Sequence, residues 1–383
     1  MPASYQRGTV TSEISRRRTS IPVNIGDVRI GGGGPVVVQS MTTTNTAEVE
    51  ATSNEIARLV EAGCEIVRVA VPDREAAEAL PELLRRSAAP LIADIHFDHR
   101  LALAAVEAGI HCLRINPGNI GDRNRVREVV RACKERGVPI RIGVNAGSIP
   151  EASGPDGRPE TGTALADAMV AHAMEHVRIL EEENFQAIKI SLKAFEIDPT
   201  VRAYRKIADM VPYPLHLGIT ESGTARTGSI RSAIGLGILL YEGIGDTIRV
   251  SLTADPVEEV FVAFEILKAL DIRQKGSVLV SCPSCGRCEI ELFPLVGKVE
   301  ELLAGIEEPL KVAVMGCVVN GPGEARDADI GLAGGKGRGV LFADGKILET
   351  LNEEDFLPRL AAGIERVAAD HRAAAAEKDV PVP

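Results

Sequence analysis

The chain contains no tryptophan among its 383 residues, and aromatic side chains make up only 3% of it. Proteins that hold single-stranded nucleic acid stack bases on aromatic rings, and those that hold duplexes neutralise phosphates with a basic surface. With a formal net charge of -11 the chain has neither, so no nucleic-acid partner is expected. Equally absent is any run approaching the ~18 apolar residues of a bilayer span, so no membrane role is expected. Arg16-Arg17-Arg18-Thr19-Ser20 resembles the head of a twin-arginine export signal, yet no apolar stretch follows it before Gly26. Residues 1–20 read instead as a flexible basic tail. Seven cysteines without a secretory signal point to a reducing, cytoplasmic setting, where thiols pack or ligate metals more often than they pair. Cys64, Cys112 and Cys133 lie in aliphatic segments and read as packed.

What is present is one repeating unit. Short aliphatic runs at 35–41, 65–71, 90–97, 112–117, 139–145, 187–192, 214–219 and 247–252 alternate with stretches of helical period such as 53–62, 122–136, 163–183 and 256–270. Counting alone fits a (β/α)8 barrel or a doubly wound open sheet. Side-chain alternation separates them. One face carries Val67, Val69, Leu113, Ile115, Ile140, Ile142, Ile188, Ile190, Leu215, Leu217, Ile248 and Val250. The other carries Gln39, Arg68, Asp94, His96, Arg114, Asn116, Arg141, Asn145, Lys189, Ser191, Lys193, His216, Arg249 and Ser251. An open sheet covered on both sides would bury those charges at several kcal/mol each, whereas a barrel turns them into one lumen. We therefore expect a TIM barrel over 21–271, followed by a linker at about 271–277.

A smaller α+β domain is expected over 278–374, with strands at 278–281 and 310–315, a helix at 289–303, a hairpin at 339–351 turning on Asp344-Gly345, and a last helix at 353–374. Residues 375–383 read as a flexible tail. The Gly-, Pro- and Ser-rich stretch 146–162 reads either as a binding lid or as a surface excursion.

Arg68, Arg114, Arg141, Lys189 and Arg249 lie between aliphatic neighbours on five strands. Guanidinium forks match phosphate oxygens, so a compact phosphate or diphosphate is the inferred substrate class. The alternative is a set of buried ion pairs with carboxylates such as Asp94 and Glu221. Lys189 and Lys193 also permit Schiff-base chemistry, though nothing local favours it. The second constellation is Cys282-Pro-Ser-Cys285-Gly-Arg-Cys288 with Cys317 further on. Its spacing is compatible with zinc, with an iron-sulfur cluster held by four thiolates, or with a cluster completed by a carboxylate. Glu324 follows Cys317 through the bend Asn320-Gly321-Pro322-Gly323, and reads either as that carboxylate or as a solvated acid. A carboxylate there would leave one iron exchangeable and make the protein a catalyst, not only a carrier. The runs Gly31 to Gly34 and Gly334-Gly335-Lys336-Gly337 lack the context of nucleotide-binding loops and read as turns.

Several motifs, in order, resemble one family. Pro-Val-Val-Val-Gln-Ser-Met-Thr, Arg-Ile-Asn-Pro-Gly-Asn, Arg-Ile-Gly-Val-Asn-Ala-Gly-Ser, His-Leu-Gly-Ile-Thr-Glu-Ser-Gly, Ser-Cys-Pro-Ser-Cys-Gly-Arg and Gly-Cys-Val-Val-Asn-Gly-Pro-Gly-Glu-Ala, spread over about residues 20–365, are similar to those of the 4-hydroxy-3-methylbut-2-enyl diphosphate synthases of non-mevalonate isoprenoid synthesis. The resemblance implies a barrel binding 2-C-methyl-D-erythritol 2,4-cyclodiphosphate and a [4Fe-4S] cluster on Cys282, Cys285, Cys317 and Glu324, in a domain similar to sulfite and nitrite reductase modules. It also implies a head-to-tail homodimer and electrons from reduced flavodoxin or ferredoxin. Carried onto this chain, Arg68, Arg114, Arg141 and Lys189 would grip the diphosphate, with Asp94, Asn116, Asn145, Arg249 and Ser251 in the same binding set. Glu221 would handle a proton, and Asn320 would orient the substrate oxygen. Cys288 departs from the pattern of many members and is expected to be a bystander. The competing readings are an all-thiolate electron carrier and a barrel lyase or transferase with structural zinc.

Overall fold

The computed structural model describes residues 17–116, 120, 122–149, 161–317, 323 and 325–378. The chain divides into two compact units, Met1–Arg273 and Gln274–Pro383.

The first unit opens with a hairpin of β1 (Val23–Ile25) and β2 (Val28–Ile30). Eight strands follow: β3 (Val37–Met41), β4 (Ile66–Ala70), β5 (Leu91–Ile95), β6 (Cys112–Ile115), β7 (Ile140–Asn145), β8 (Ile188–Lys193), β9 (His216–Leu217) and β10 (Thr247–Ile248). They alternate with α1 (Val49–Glu61), α2 (Arg74–Arg86), α3 (His99–Glu107), α4 (Arg123–Arg136), α5 (Gly162–Glu182), α6 (Ile197–Met210), α7 (Ala225–Tyr241) and α8 (Pro256–Ala269). Strands β3 to β8 pair in sequence order, and β10 pairs in parallel with both β9 and β3. A parallel bridge between Ile190 and Leu215 joins the remaining ends. The sheet is thus a barrel, and the open-sheet alternative is excluded.

Local chemistry explains the alternation of elements. Asp73 caps α2 by accepting from Ala76 N, and Asp122 caps α4 by accepting from the amides of Asn124 and Arg125. Gly137, at φ 68°, ends α4 in the left-handed conformation that side chains resist. Pro256, next to the capping Asp255, starts α8. Every residue expected on the apolar strand face is buried in the shell between strands and helices. Inside the barrel, Val37, Ile66, Ile92 and Cys112 form an apolar floor with Ile25 and Ile30 of the hairpin. The hairpin was not anticipated, because two three-residue strands show no readable periodicity.

Arg17 and Arg18 correct one expectation. Arg18 donates to the carbonyls of Ala208 at 2.8 Å and Tyr213 at 3.0 Å, and Arg17 donates to Gly245 O at 3.0 Å and lies 3.5 Å from Asp246. These arginines are bound to the barrel through backbone carbonyls that precede β9 and β10, not part of a loose tail. Residues 1–16, the middle of the 146–162 loop and residues 379–383 lie outside the described residues.

The second unit is a five-stranded sheet of β11 (Val278–Ser281), β12 (Lys311–Met315), β13 (Ile330–Gly335), β14 (Arg338–Ala343) and β15 (Lys346–Asn352), in that order. The first three strands run parallel and the last three antiparallel. Asp344 and Gly345 turn the last hairpin with φ of 48° and 72°, as an Asp-Gly turn requires. Helices α9 (Leu292–Leu303) and α10 (Phe356–Lys378) cover one face, burying Val299, Leu360 and Ile364 against Val312, Val314, Ile330 and Leu332. Strand β13 was missed, since Gly-Leu-Ala-Gly-Gly contains few strand formers.

Candidate functional site

Alternation along the strands sends the expected cations into the lumen, and register aligns them. Asp94, Arg114, Arg141 and Lys189 are direct neighbours across β5, β6, β7 and β8. Adjacent like charges on a sheet are destabilising, so this row works against the fold. Part of it is compensated. Arg114 Nη1 lies 2.9 Å from one oxygen of Asp94, and Arg68 Nε lies 3.5 Å from the other. Arg249 lies 3.3 Å from Glu259, which reaches in from α8 and also accepts from Ser40 Oγ at 2.9 Å and Leu252 N at 3.0 Å.

The rest is not compensated. Arg141 and Lys189 are 1% and 0% exposed, yet Arg141 Nε and Nη1 and Lys189 Nζ have no hydrogen-bond partner. Both amide atoms of Gln39 and the Oδ1 of Asn116 are buried and unpartnered as well. More than nine in ten buried polar groups find partners, so a cluster of orphans on one lumen face is a set of donors and acceptors that the protein's own groups leave unsatisfied. Ammonium and guanidinium groups offer only donors and positive charge, a combination that suits an anion. Burial pushes the Lys189 ammonium down to about 7, with Arg141 and Arg68 adding to the depression. Burial also lowers Arg141 to about 10, with Arg114 contributing, which leaves its guanidinium charged at neutral pH. Burial alone would raise Asp94, but Arg68, His96 and Arg114 hold it well below the usual carboxylate range. Asp94 therefore acts through the arginines it pairs with.

Two glycines make room for these cations. A Cβ on Gly143 would stand 2.4 Å from Arg114 Nε, and one on Gly218 would stand 2.4 Å from Lys193 Nζ. At the rim, Asn116 Nδ2 donates to Ser148 Oγ at 3.1 Å, and Ser148 Oγ donates to Asn145 O at 2.8 Å. Glu221 follows β9 with φ of 54°, a conformation that costs a non-glycine residue ~1–2 kcal/mol. Its neighbours fix it: Ser222 Oγ donates to Ser251 O, Thr220 N to Ala194 O at 3.2 Å, and Thr253 N to Gly223 O at 2.9 Å. A strained acidic residue on a loop after a barrel strand is where catalytic groups concentrate. Glu259 and Glu55 were missed by sequence reasoning. Glu55 of α1 accepts from the amides of Thr43 and Thr44 at 2.9 and 3.0 Å and so fixes the loop after β3. Acids on helices ordinarily face water, and no sequence signal marked these two.

In the second unit, β11 and β12 deliver cysteines to one end of the sheet. Gly316 N donates to Cys282 Sγ at 3.1 Å, and a Cβ on Gly316 would meet Cys288 Sγ at 2.5 Å and Cys282 Sγ at 3.4 Å. Both thiols thus crowd the residue before Cys317, and only glycine fits there. Cys285 is exposed, and hydrogen bonds from Arg287 lower its thiol. Soft donors gathered around a small-residue cradle suit an iron-sulfur cluster. Among the described residues, no three His, Cys, Asp or Glu side chains are grouped closely enough to hold a single metal ion. Asn320 and Glu324 lie outside the described residues.

Fold and lumen together define an α/β-barrel protein whose lumen gathers buried cations, carrying a second unit that gathers thiols. The chain belongs to the GcpE family: the GcpE TIM-barrel domain matches residues 20–264 and the GcpE protein C-terminal domain matches residues 278–366. A 4-hydroxy-3-methylbut-2-en-1-yl diphosphate synthase (flavodoxin) of Geobacter sulfurreducens is 57% identical over 91% of this chain and 98% of its own. The protein of the same name from Geobacillus thermodenitrificans is 52% identical over 96% and 97%. Among solved structures, a dihydropteroate synthase from Stenotrophomonas maltophilia aligns at TM-score 0.49 and 15% identity, over 66% of this chain and 98% of that one.

Proposed function

We propose that the chain converts 2-C-methyl-D-erythritol 2,4-cyclodiphosphate into (E)-4-hydroxy-3-methylbut-2-enyl diphosphate by reductive ring opening and dehydroxylation. The observation that carries this reading is the pair of buried, unpartnered cations, Arg141 and Lys189, facing the lumen. Two linked phosphoryl groups supply the oxygens those donors lack. Arg68 and Arg114, steadied by Asp94, complete the grip, while Arg249, Asn116, Asn145 and Ser251 orient the ring. Loss of the substrate oxygen as water requires a proton, and we assign its delivery to Glu221. Asn320 orients that oxygen.

Cys282, Cys285, Cys317 and Glu324 would hold a [4Fe-4S] cluster, which when bound supplies Lewis acidity and electrons one at a time. Reduced flavodoxin, the donor in the relatives' names, or ferredoxin provides the electrons. The assembly is a head-to-tail homodimer in the cytoplasm, with the cluster domain of one subunit capping the barrel of its partner. An anaerobic assay of the iron-reconstituted protein with the cyclic diphosphate and a chemical reductant tests the activity. Formation of the linear product supports it, and iron-replete protein that forms none refutes it.

The closeness of Cys288 and Cys282 at Gly316 favours one second reading, a cluster ligated by four thiolates. Under the carboxylate reading, Cys288→Ser keeps full iron content and most turnover. Iron loss in that variant transfers the fourth position to Cys288.

A further inference from the structure

Burying a carboxylate is costly unless donors surround it. Glu259 of α8 is 4% exposed while its neighbour Glu258 faces solvent, and its donors come from separate pieces of the barrel. Ser40 Oγ of β3 donates to Oε2 at 2.9 Å, Leu252 N donates to Oε1 at 3.0 Å, and Arg249 brings Nε and Nη2 to 3.3 Å. Arg249 N donates in turn to Leu217 O at 3.0 Å, and the chain then leaves the ladder.

A guanidinium carries five N–H donors in a rigid plane. With Nε and one hydrogen of Nη2 turned to Glu259, the edge made by Nη1 and the second Nη2 hydrogen is the one left to meet a ligand. Leu252 is the second point of control. The residues on either side of it hold the loop of Glu221: Ser251 O accepts from Ser222 Oγ, and Thr253 N donates to Gly223 O at 2.9 Å. Thr253 also forms a parallel bridge with Thr224. The carboxylate thus reaches, through the Leu252 amide and its chain neighbours, the strained backbone of Glu221.

We propose that Glu259 is a positioning residue that sets two groups together: the direction of Arg249 and, through Leu252, the seat of the loop that carries Glu221. This deepens the function proposed above and rests on it for the roles of Arg249 and Glu221, whereas the grip on residues 251–253 does not depend on that function. The negative charge of Glu259 faces the same guanidinium that meets the ligand, so it opposes an incoming anion. Glu259 therefore works for alignment and against affinity.

Glu259→Gln removes the charge and keeps the size. In the ligand-free full chain, deuterium exchange at the amides of Leu252 and Thr253 should rise on the order of tenfold. Pyrophosphate should bind at least as tightly as to the wild type, while kcat of the iron-reconstituted anaerobic enzyme for the cyclic diphosphate falls by roughly ten- to a hundredfold. Lost pyrophosphate affinity with kcat unchanged would place Glu259 in the anion grip alone. Wild-type exchange and kcat with a lowered melting temperature would make it a structural pin. Either result overturns the proposal. Ser40→Ala, which takes one donor from the carboxylate and leaves its charge, is the second variant. It should raise the same exchange and lower kcat severalfold with pyrophosphate affinity unchanged, and wild-type exchange and kcat there overturn the proposal even if Glu259→Gln does not fold. A wild-type chain that binds pyrophosphate without turning over the cyclic diphosphate refutes the proposed function, and raised exchange in Glu259→Gln then still supports the grip on the loop.

Discussion

Arg141 and Lys189 carry buried donors without hydrogen-bond partners, their charge offset only in part by Asp94 and Asp246, which fixes the signs of two outcomes. Replacing a buried unpaired cation with an apolar side chain of similar length should stabilise the free protein and disable it. Arg141→Met is expected to raise ligand-free stability by ~1–3 kcal/mol and to weaken pyrophosphate binding by roughly a hundredfold. Paired thermal melts and calorimetric titrations check this, and a variant that loses both stability and binding would show that Arg141 is structural. The Lys189 ammonium, lowered to about 7 from 10.5, gives the second. Below the folded value it is charged in both native and unfolded chains, and its destabilising contribution is fully present. Between that value and 10.5 the unfolded chain binds more protons than the native one, so stability contributed by this group rises with pH across that window. An anion reverses the preference. Binding above neutrality must take up a proton, and affinity falls as pH rises. Titrations near pH 8 in buffers of different ionisation heat should register that uptake, and a count of zero would remove Lys189 from the site. The cations were readable from the chain because each stands between aliphatic neighbours in a period-two pattern. Glu55 and Glu259 were not, because only the packed fold turns a helix acid inwards.

Strands and loops place these residues to within a side chain's width. Gly143 lies on the same lumen face as Arg141 and Asn145, and a methyl group there would stand 2.4 Å from Arg114 Nε. Gly143→Ala should therefore push the guanidinium off Asp94 and weaken pyrophosphate binding about tenfold, at a folding cost near ~1 kcal/mol. Unchanged affinity would mean that Arg114 relaxes freely and that β7 does not set its direction. The eight barrel strands could be placed from sequence because alternation is strict over four to six residues in most of them. The floor hairpin and β13 lacked that signal, one being too short and the other too rich in glycine. The cysteine-bearing strands were found from their aliphatic runs, but the crowding of Cys288 against Gly316 depends on a loop path that no local rule encodes.

Each of the two units has its own apolar core, and ligand and cluster are assigned to different units. Pyrophosphate at a hundred times its Kd should stabilise the barrel by about 2.7 kcal/mol and leave the melting of the second unit unshifted. Glu324→Ala should keep that stabilisation while turnover drops sharply. Differential scanning calorimetry beside anaerobic kinetics separates the two effects, and an unchanged rate in the variant removes the carboxylate from the cluster. The apolar floor formed by Ile25, Ile30, Val37, Ile66, Ile92 and Cys112 has a kinetic consequence. With the base packed by side chains, substrate and product are both expected to reach the lumen from the end where the strands finish, and so to compete for the same space. Product should therefore inhibit competitively, and how fast it clears that end bounds throughput however fast the bonds are broken.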